Sequence, residues 1–496
     1  MDSYDVVIIG AGVVGCLTAR FLSRYQLRIL VIEKESDVGA GTSSANSALI
    51  HAGYDPLPGT LKAALNVRGN EMWDQLADEL DFDFERCGDY VAAIGEDEFQ
   101  QLQILKRQGE QNGVPGLKIL SVDEIRKRIP NINPEVSGAL FAPTAGICDT
   151  FAVTIAAAEN AQMNGVMFRF DTCFESFLVE KHRIVGIRTD RGDIRCQWVI
   201  NAAGLYADEV MHQAGSHPEF MIRPRRGEYC VFDPACFQID TVLFPVPSEK
   251  GKGVLFFKTT HGNTIVGPTS EFVDCKEDKA VSVTGLRYLE EQMQRLIPGA
   301  DLRWTIASFS GLRASGNAIC TNSDVDYSGD FLIESDKTVK GLIHCAGIES
   351  PGLSASPAIA ERICLLLEQS GFEMIEKPYW NPRRKRRPCF RHLTNEERNE
   401  LIAQDPRYGR IVCRCEMVTE GEIAAEIHAP IPARTYDAIK RRTWCGTGRC
   451  QGGFDMIRVV EILTRELNLS SEKISKNGPG SEFIFSETKN QRSGQC

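Results

Sequence analysis

Two kinds of apolar pattern alternate along the chain. Asp5–Ile9, Arg28–Ile32 and Trp198–Asn201 are brief runs dominated by β-branched residues, the pattern of strands buried on both faces. Longer stretches repeat apolar residues every three or four positions. Val14, Leu17 and Phe21 do so, and residues 61–80 and 96–112 predict amphipathic helices. Residues 121–129 open on a capping box, Ser121 with Glu124, and Pro130 stops that helix. Residues 150–165 predict an alanine-rich helix, and 168–180 with 183–189 a strand pair. Between 221 and 270 the pattern changes to short strands broken by Gly, Pro and Asn, which predicts an antiparallel sheet continued by residues 303–312. A last buried strand, 341–345, leads into an alanine-rich helix from Pro357 to Glu368.

The first strand–helix–strand unit carries chemistry. Gly10, Gly12 and Gly15 stand at G-x-G-x-x-G spacing between the first strand and its helix. Glu33 closes the second strand, about 20 residues on, where a ribose-binding acid is expected. Gly10 permits the tight turn, Gly12 a close backbone approach to pyrophosphate, and Gly15 close helix–strand packing. The helix N-terminus then faces the phosphates. This is a Rossmann-type dinucleotide site, and the stretch alone leaves FAD and NAD both open. The whole chain reads as α/β: a Rossmann-type domain, an inserted antiparallel-sheet substrate domain, and a small C-terminal helical domain.

Composition narrows the partners. The 496 residues suit two or three domains, and the net charge of −11 argues against a nucleic-acid partner. No apolar run approaches the roughly 18–20 residues of a membrane span. The chain enters its first strand at once, so no leader is expected. The 17 cysteines then read as reduced cytosolic thiols, except where they cluster.

They cluster once. Cys413 and Cys415 form C-x-C, and Cys445 and Cys450 follow within 38 positions. Thr419 with Glu422 makes a capping box between the pairs, and Met456, Val460, Leu463 and Leu467 mark a later helix. Arg414, Arg449 and helix-end dipoles favour thiolates. Four thiolates suit zinc or an iron–sulfur cluster. C-x-C is tight for a zinc knuckle, and the glycines leave room for sulfides, which favours 2Fe–2S.

Three other stretches stand out. Residues 35–55 are rich in Gly, Ser, Ala and Asn, and hold His51, either a packed or a functional loop histidine. Residues 382–388, PRRKRRP, read as an exposed linker, with targeting or partner docking as the alternative. Residues 471–496 read as a loose polar tail.

Over residues 1–375 the chain resembles the D-amino-acid-oxidase-like FAD oxidoreductases. The motifs are Gly10–Gly15 with Glu33, NSALIHAGYDP (46–56), Asn201–Gly204, HGNTIVGP (261–268) and AGIESPGLSASP (346–357). Residues 408–470 resemble the bacterioferritin-associated-ferredoxin-like 2Fe–2S domain, and the pairing is similar to the anaerobic glycerol-3-phosphate dehydrogenase family. The resemblance implies FAD and a 2Fe–2S cluster on Cys413, Cys415, Cys445 and Cys450. It implies FAD contacts at Gly10, Gly12, Gly15, Glu33 and Lys34, then at Thr42, Ser43, Ser44 and Asn46. Ala203, Gly204, Gly347, Ile348, Pro351, Gly352 and Leu353 complete that set. His51 matches the family's base, with covalent flavin attachment by a loop histidine as a minor alternative. Arg313, in SGLRAS, matches an anion-binding arginine, and Lys258 is offered as a second cation.

The implied reaction is oxidation of a small anionic secondary alcohol, foremost sn-glycerol 3-phosphate, with electrons leaving through the cluster. The acceptor is expected to be a protein or a quinone-linked subunit, and the location cytoplasmic, with attachment to the membrane periphery through a partner as the alternative. The rivals are a 2-hydroxy-acid dehydrogenase, an amino- or imino-acid oxidase, and an electron-relay subunit. Expected boundaries are a flavin domain at 1–375, with nucleotide-binding parts at 1–80, 145–215 and 330–375 and substrate parts at 81–144 and 216–329. A linker at 376–405, the 2Fe–2S domain at 406–470 and the tail at 471–496 follow.

Overall fold

A computed structural model describes residues 3–236, 239–247, 252–317 and 329–485. The β-branched runs become the parallel centre of an eight-stranded sheet. Ser3–Ile9 lies between Gly192–Asn201 and Ile29–Ile32, and Met167–Arg169 extends it beyond Ile29–Ile32. Leu342–Ala346 adds in parallel at the far end of Gly192–Asn201. Strands Phe174–Glu180 and Arg183–Thr189 continue the other edge as the expected antiparallel pair.

Helices cover one face of this sheet because each presents an apolar stripe to it. Val13–Leu22, Leu61–Leu80, Thr150–Met163 and Gly352–Gln369 pack there around Ile8, Leu17, Trp73 and Ile359, all fully buried. Close approach depends on a glycine: a Cβ on Gly69 would lie 2.2 Å from Ser354 O, so any larger residue would push the two longest helices apart. The last helix begins at Gly352, five residues before the Pro357 start expected from sequence. Pro357 sits inside it, where proline removes a helical N–H donor. Ser356 Oγ donates to Leu353 O at 2.7 Å, supplying a bond to the carbonyl that proline leaves short.

The inserted half is a nine-stranded sheet. Ile222–Phe232 pairs along its whole length with Thr305–Gly316, and Thr264–Gly267, Leu255–Lys258 and Val242–Pro245 follow on its other side. The ladder is antiparallel save where Val242–Pro245 runs parallel to Asp89–Ile94. Alternate residues of these strands fill two separate cores, as the two-residue strand period requires: Leu255 and Phe257 face one, Phe256 the other.

The cysteine-bearing part is helical. Glu420–Ile427, Tyr436–Thr443 and Met456–Leu467 pack around Ile423, Ile439 and Leu463. The buried face of the last helix is Val459, Ile462 and Leu463, so Met456 points outward, against the sequence expectation. The expected tail is packed in part: Ile474 is fully buried and Phe483 sits edge-on to Tyr436, while Ile484 and Phe485 are exposed. Residues 486–496 lie outside the described residues.

The basic run is exposed at Arg383, Lys385 and Arg386 but tied down at Arg384 and Arg387. Arg384 and Arg387 bond the buried Glu159 of the flavin half at 2.8 and 2.6 Å, and Arg387 also bonds Glu426 of the cysteine half at 2.6 Å. The buried carboxylates collect the arginines, so the run straps the two halves together. Among the described residues, no helix is long and apolar enough to cross a membrane.

Candidate active site

The glycine turn has the backbone geometry expected of Gly10 and Gly15. Gly10 holds φ 103°, and a Cβ there would lie 2.5 Å from Ala202 O. A Cβ on Gly15 would lie 2.0 Å from Gly10 O, so only glycine lets the helix sit on the strand. Glu33 accepts from the N–H groups of Ala11 at 2.7 Å and Glu35 at 3.0 Å, which fixes its carboxylate at the strand end. Burial pushes the pKa of Glu33 up. Gly15→Val is expected to strip FAD while leaving helical content intact, measured as the flavin-to-protein absorbance ratio of the purified protein.

From this turn a cavity of about 770 Å³ runs between the nucleotide-binding part and the inserted sheet. Of the expected flavin contacts, Gly12, Thr42, Ser43, Asn46, Gly204, Ile348, Pro351, Gly352 and Leu353 line it. Gly10, Gly15, Glu33, Lys34, Ser44, Ala203 and Gly347 lie outside its wall. Ser44 Oγ turns back to Gly41 O at 2.8 Å, and the Lys34 ammonium stands 3.7 Å over the Tyr206 ring. Thr42 Oγ1 donates to Leu312 O at 2.9 Å and so ties the nucleotide-side loop to the inserted sheet.

His51 follows the short strand Leu49–Ile50, which pairs with Gly146–Cys148. Its N–H donates to Ser354 Oγ at 2.7 Å and its carbonyl accepts from Asn70 at 3.0 Å, so two helices clamp its backbone. Its imidazole lines the cavity beside Phe244, with Nε2 3.5 Å from Ser350 Oγ. Burial, and then the Lys252 charge, push the His51 pKa well below its ordinary value. The ring is therefore neutral, the form able to accept a proton.

Arg313 lines the same cavity. Among the described residues its guanidinium bonds one carbonyl, Thr269 O at 2.6 Å, and no carboxylate. Its neighbour across the ladder, Arg225, is instead held by Glu349 at 2.5 Å, which also holds Lys62 at 2.8 Å. That leaves Arg313 as the arginine with donors to offer an anion.

Lys258 is not at the site. Its ammonium pairs with Glu85 at 2.8 Å, and it does not line the cavity. It is three residues beyond Leu255, which does, and three is an odd step along a strand. The second cation of the cavity is Lys252, which reaches Asp55 at 3.3 Å and Ser350 Oγ at 3.4 Å. The sequence signal was present, a Gly-flanked lysine in the loop before that strand, but nothing local distinguishes it from Lys258.

The four cysteines come together as crossed pairs. The Cys413 and Cys445 sulfurs lie within 4.8 Å of each other, and the Cys415 thiol interacts with that of Cys450. The Cys445 thiol and the backbone N–H groups of Gly446 and Glu416 hold Cys413 below its ordinary range, against burial. Such a convergence of sulfur atoms and N–H donors fits an iron–sulfur cluster. Asp455 also reaches within 4.8 Å of the Cys413 and Cys445 sulfurs and stands as a buried acceptor behind them. Cys413 and Cys445 are buried, Cys450 is half-buried and Cys415 is exposed, so one edge faces solvent.

The sequence profile of the FAD dependent oxidoreductase family matches residues 5–366. The chain belongs to this family. A second profile, the BFD-like [2Fe-2S] binding domain, matches residues 411–460 and includes all four cysteines. FAD and a 2Fe–2S cluster are thus the cofactors, and the glycine turn, Glu33 and the crossed cysteines fit them. The chain is 44% identical to a glycerol 3-phosphate dehydrogenase of Caloramator mitchellensis, over 98% of this chain and 99% of that one. It is 30% identical to a glycerol 3-phosphate oxidase of Mycoplasma pneumoniae, over 77% of this chain and 98% of that one. Among solved structures, the dithionite-reduced L-alpha-glycerophosphate oxidase of Mycoplasma pneumoniae with FAD bound superposes with a TM-score of 0.72. That match has 30% identity and covers 78% of this chain and all of that one. This family member thus carries an electron outlet, the cysteine domain, beyond the part shared with that oxidase.

Proposed function

We propose that this chain oxidises sn-glycerol 3-phosphate to dihydroxyacetone phosphate and sends the electrons through its cluster to an external acceptor. One observation carries the reading: His51, Lys252 and Arg313 face a single cavity, one neutral base and two cations for an anionic alcohol. The 44% identity to a glycerol 3-phosphate dehydrogenase over the full chain supports it. The flavin supplies a two-electron acceptor and the cluster a one-electron outlet.

The chain's own residues do the rest. Arg313 and Lys252 hold the phosphate, a charge-assisted contact that fixes the position of the secondary alcohol. Neutral His51 takes the hydroxyl proton at Nε2, the nitrogen that Ser350 Oγ approaches. Lys258, already paired with Glu85, takes no part. Residues 1–375 form the catalytic unit and 406–470 the electron-output unit, joined by 376–405. The acceptor is a protein or a quinone-linked subunit, and the enzyme works in the cytoplasm.

Anaerobic mixing of the purified protein with glycerol 3-phosphate is expected to bleach the flavin. Bleaching by 2-hydroxyglutarate or an amino acid, with none by glycerol 3-phosphate, would reject the substrate. Lys252→Met is expected to raise KM for glycerol 3-phosphate about tenfold or more, the loss of one charged hydrogen bond. It also removes a charge that depresses His51. The neutral imidazole is the active form, so kcat/KM falls as pH drops through its pKa. In the wild type that fall is expected well below pH 6.5, and in Lys252→Met it moves upward. An unmoved acid limb would mean that Lys252 and His51 do not share a site.

A further inference from the structure

Trp444 occupies the seam between the two halves. It precedes Cys445 and holds a left-handed backbone, φ 62°, at the end of helix Tyr436–Thr443. A bulky residue is an outlier in that conformation, and such strain persists only where its surroundings impose it. The flavin half supplies the restraints. The indole lies against the His261 ring at 3.8 Å and the Phe151 ring at 5.4 Å between centroids. Its Nε1–H donates to Asp149 Oδ2 at 3.1 Å. Asp149 caps helix Thr150–Met163 by accepting from Phe151 and Ala152. Thr150 Oγ1 in turn donates to Ser43 O and accepts from Asn46 Nδ2, each at 3.1 Å.

Ser43 and Asn46 line the flavin cavity. The cavity wall, the helix cap, the indole and Cys445 are therefore one continuous packed and hydrogen-bonded path. Cys415, by contrast with Cys445, is exposed, which leaves that edge to an external acceptor. An inner edge joined to the flavin wall and an outer edge open to solvent are what a relay needs.

We infer that Trp444 is the positioning residue through which electrons cross from the flavin half to the Cys445 edge of the cluster. The inference deepens the reading of the preceding section and rests on it for the direction of flow. One electron per crossing passes from the reduced flavin to the oxidised iron pair. An external one-electron oxidant empties the pair between the two crossings. One proton goes to solvent as the flavin returns to its oxidised form.

The test uses the full-length holoprotein with Trp444→Gly and Trp444→Phe. Glycine suits a left-handed backbone, so the first variant removes the ring without straining the turn. Phenylalanine keeps an aromatic face between His261 and Phe151. The flavin is reduced by a laser flash with a deazaflavin donor, and filling of the cluster is followed at its own absorbance band. Trp444→Gly is expected to slow that filling about tenfold, and Trp444→Phe to stay within about twofold of wild type, the range of residue-level coupling effects. Iron and sulfide content, and the paramagnetic resonance spectrum of the dithionite-reduced cluster, are expected to be unchanged in both.

Filling as fast in Trp444→Gly as in wild type overturns the inference. So does equal slowing in the two variants, which would trace the effect to loop geometry instead of the ring. Loss of iron from both also overturns it, because Trp444 would then only support its loop. The flash replaces the substrate, so a failure of glycerol 3-phosphate to bleach the flavin would sink the substrate reading alone.

Discussion

His51→Ala is expected to slow flavin reduction by glycerol 3-phosphate about 100- to 10,000-fold, the range for loss of a positioned general base. FAD is expected to stay bound, because no part of the dinucleotide turn depends on the imidazole. The Ser354 bond to the His51 N–H and the Asn70 bond to its carbonyl are backbone contacts, and alanine keeps both. The variant thus removes the proton acceptor and little else. Rapid mixing under anaerobic conditions reads the rate directly at the flavin band. Two features make the effect large. Among the described residues that line the cavity, His51 is the one histidine, and Lys252 and Arg313 are cations. The alcohol is also a poor acid, so hydride loss without proton removal leaves a costly charge. Reduction within a few-fold of wild type would end the base assignment, with Ser350 the next group to test.

Asp37→Asn is expected to weaken the docking of the cysteine half by about 3–5 kcal/mol, the cost of breaking a buried ion pair from one side. Asp37 is 2% exposed and accepts from Arg442 through both carboxylate oxygens, at 2.7 and 2.8 Å, and from Arg441 at 2.7 Å. The Arg442 side chain is itself 1% exposed. Without the carboxylate its charge keeps the more distant Glu426 at 3.8 Å and two backbone carbonyls. The measurements are limited proteolysis between the halves and denaturant unfolding, in which one transition should become two. Burial pushes Asp37 up, but Arg442 and Arg441 outweigh it and hold the carboxyl below its ordinary range. A group depressed on folding contributes stability above its unfolded pKa, about 3.9, and loses it as pH falls through the folded value. Docking of the wild type should therefore hold from neutral pH down to about 4 and weaken below it. In Asp37→Asn that contribution is absent at every pH.

Much of the site was legible because its parts are contiguous. A strand, three glycines, a helix and an acid lie within 30 residues, and Gly10 and Gly15 are demanded by backbone contacts made with Ala202 and within that unit. The four cysteines were legible for the same reason. Two short loops carry them, and thiolates have few uses at such density. His51 was legible from its loop of small residues, where backbone must pass close to a ligand.

Long-range choices were not legible. Lys252 and Lys258 lie six residues apart around one strand and are equally basic. Strand parity and the position of Glu85, far back in the chain, decide which cation meets the cavity and which is neutralised. The basic run 382–388 reads as solvent-exposed until Glu159 and Glu426 are seen to converge on it. Trp444 meets His261 and Asp149 only after the halves dock. Local sequence sets which backbone turns and which ligands are possible, because those depend on neighbours along the chain. Which charges are cancelled, which rings touch and which side chains share a cavity depend on segments brought together from hundreds of residues apart, and packing alone settles that.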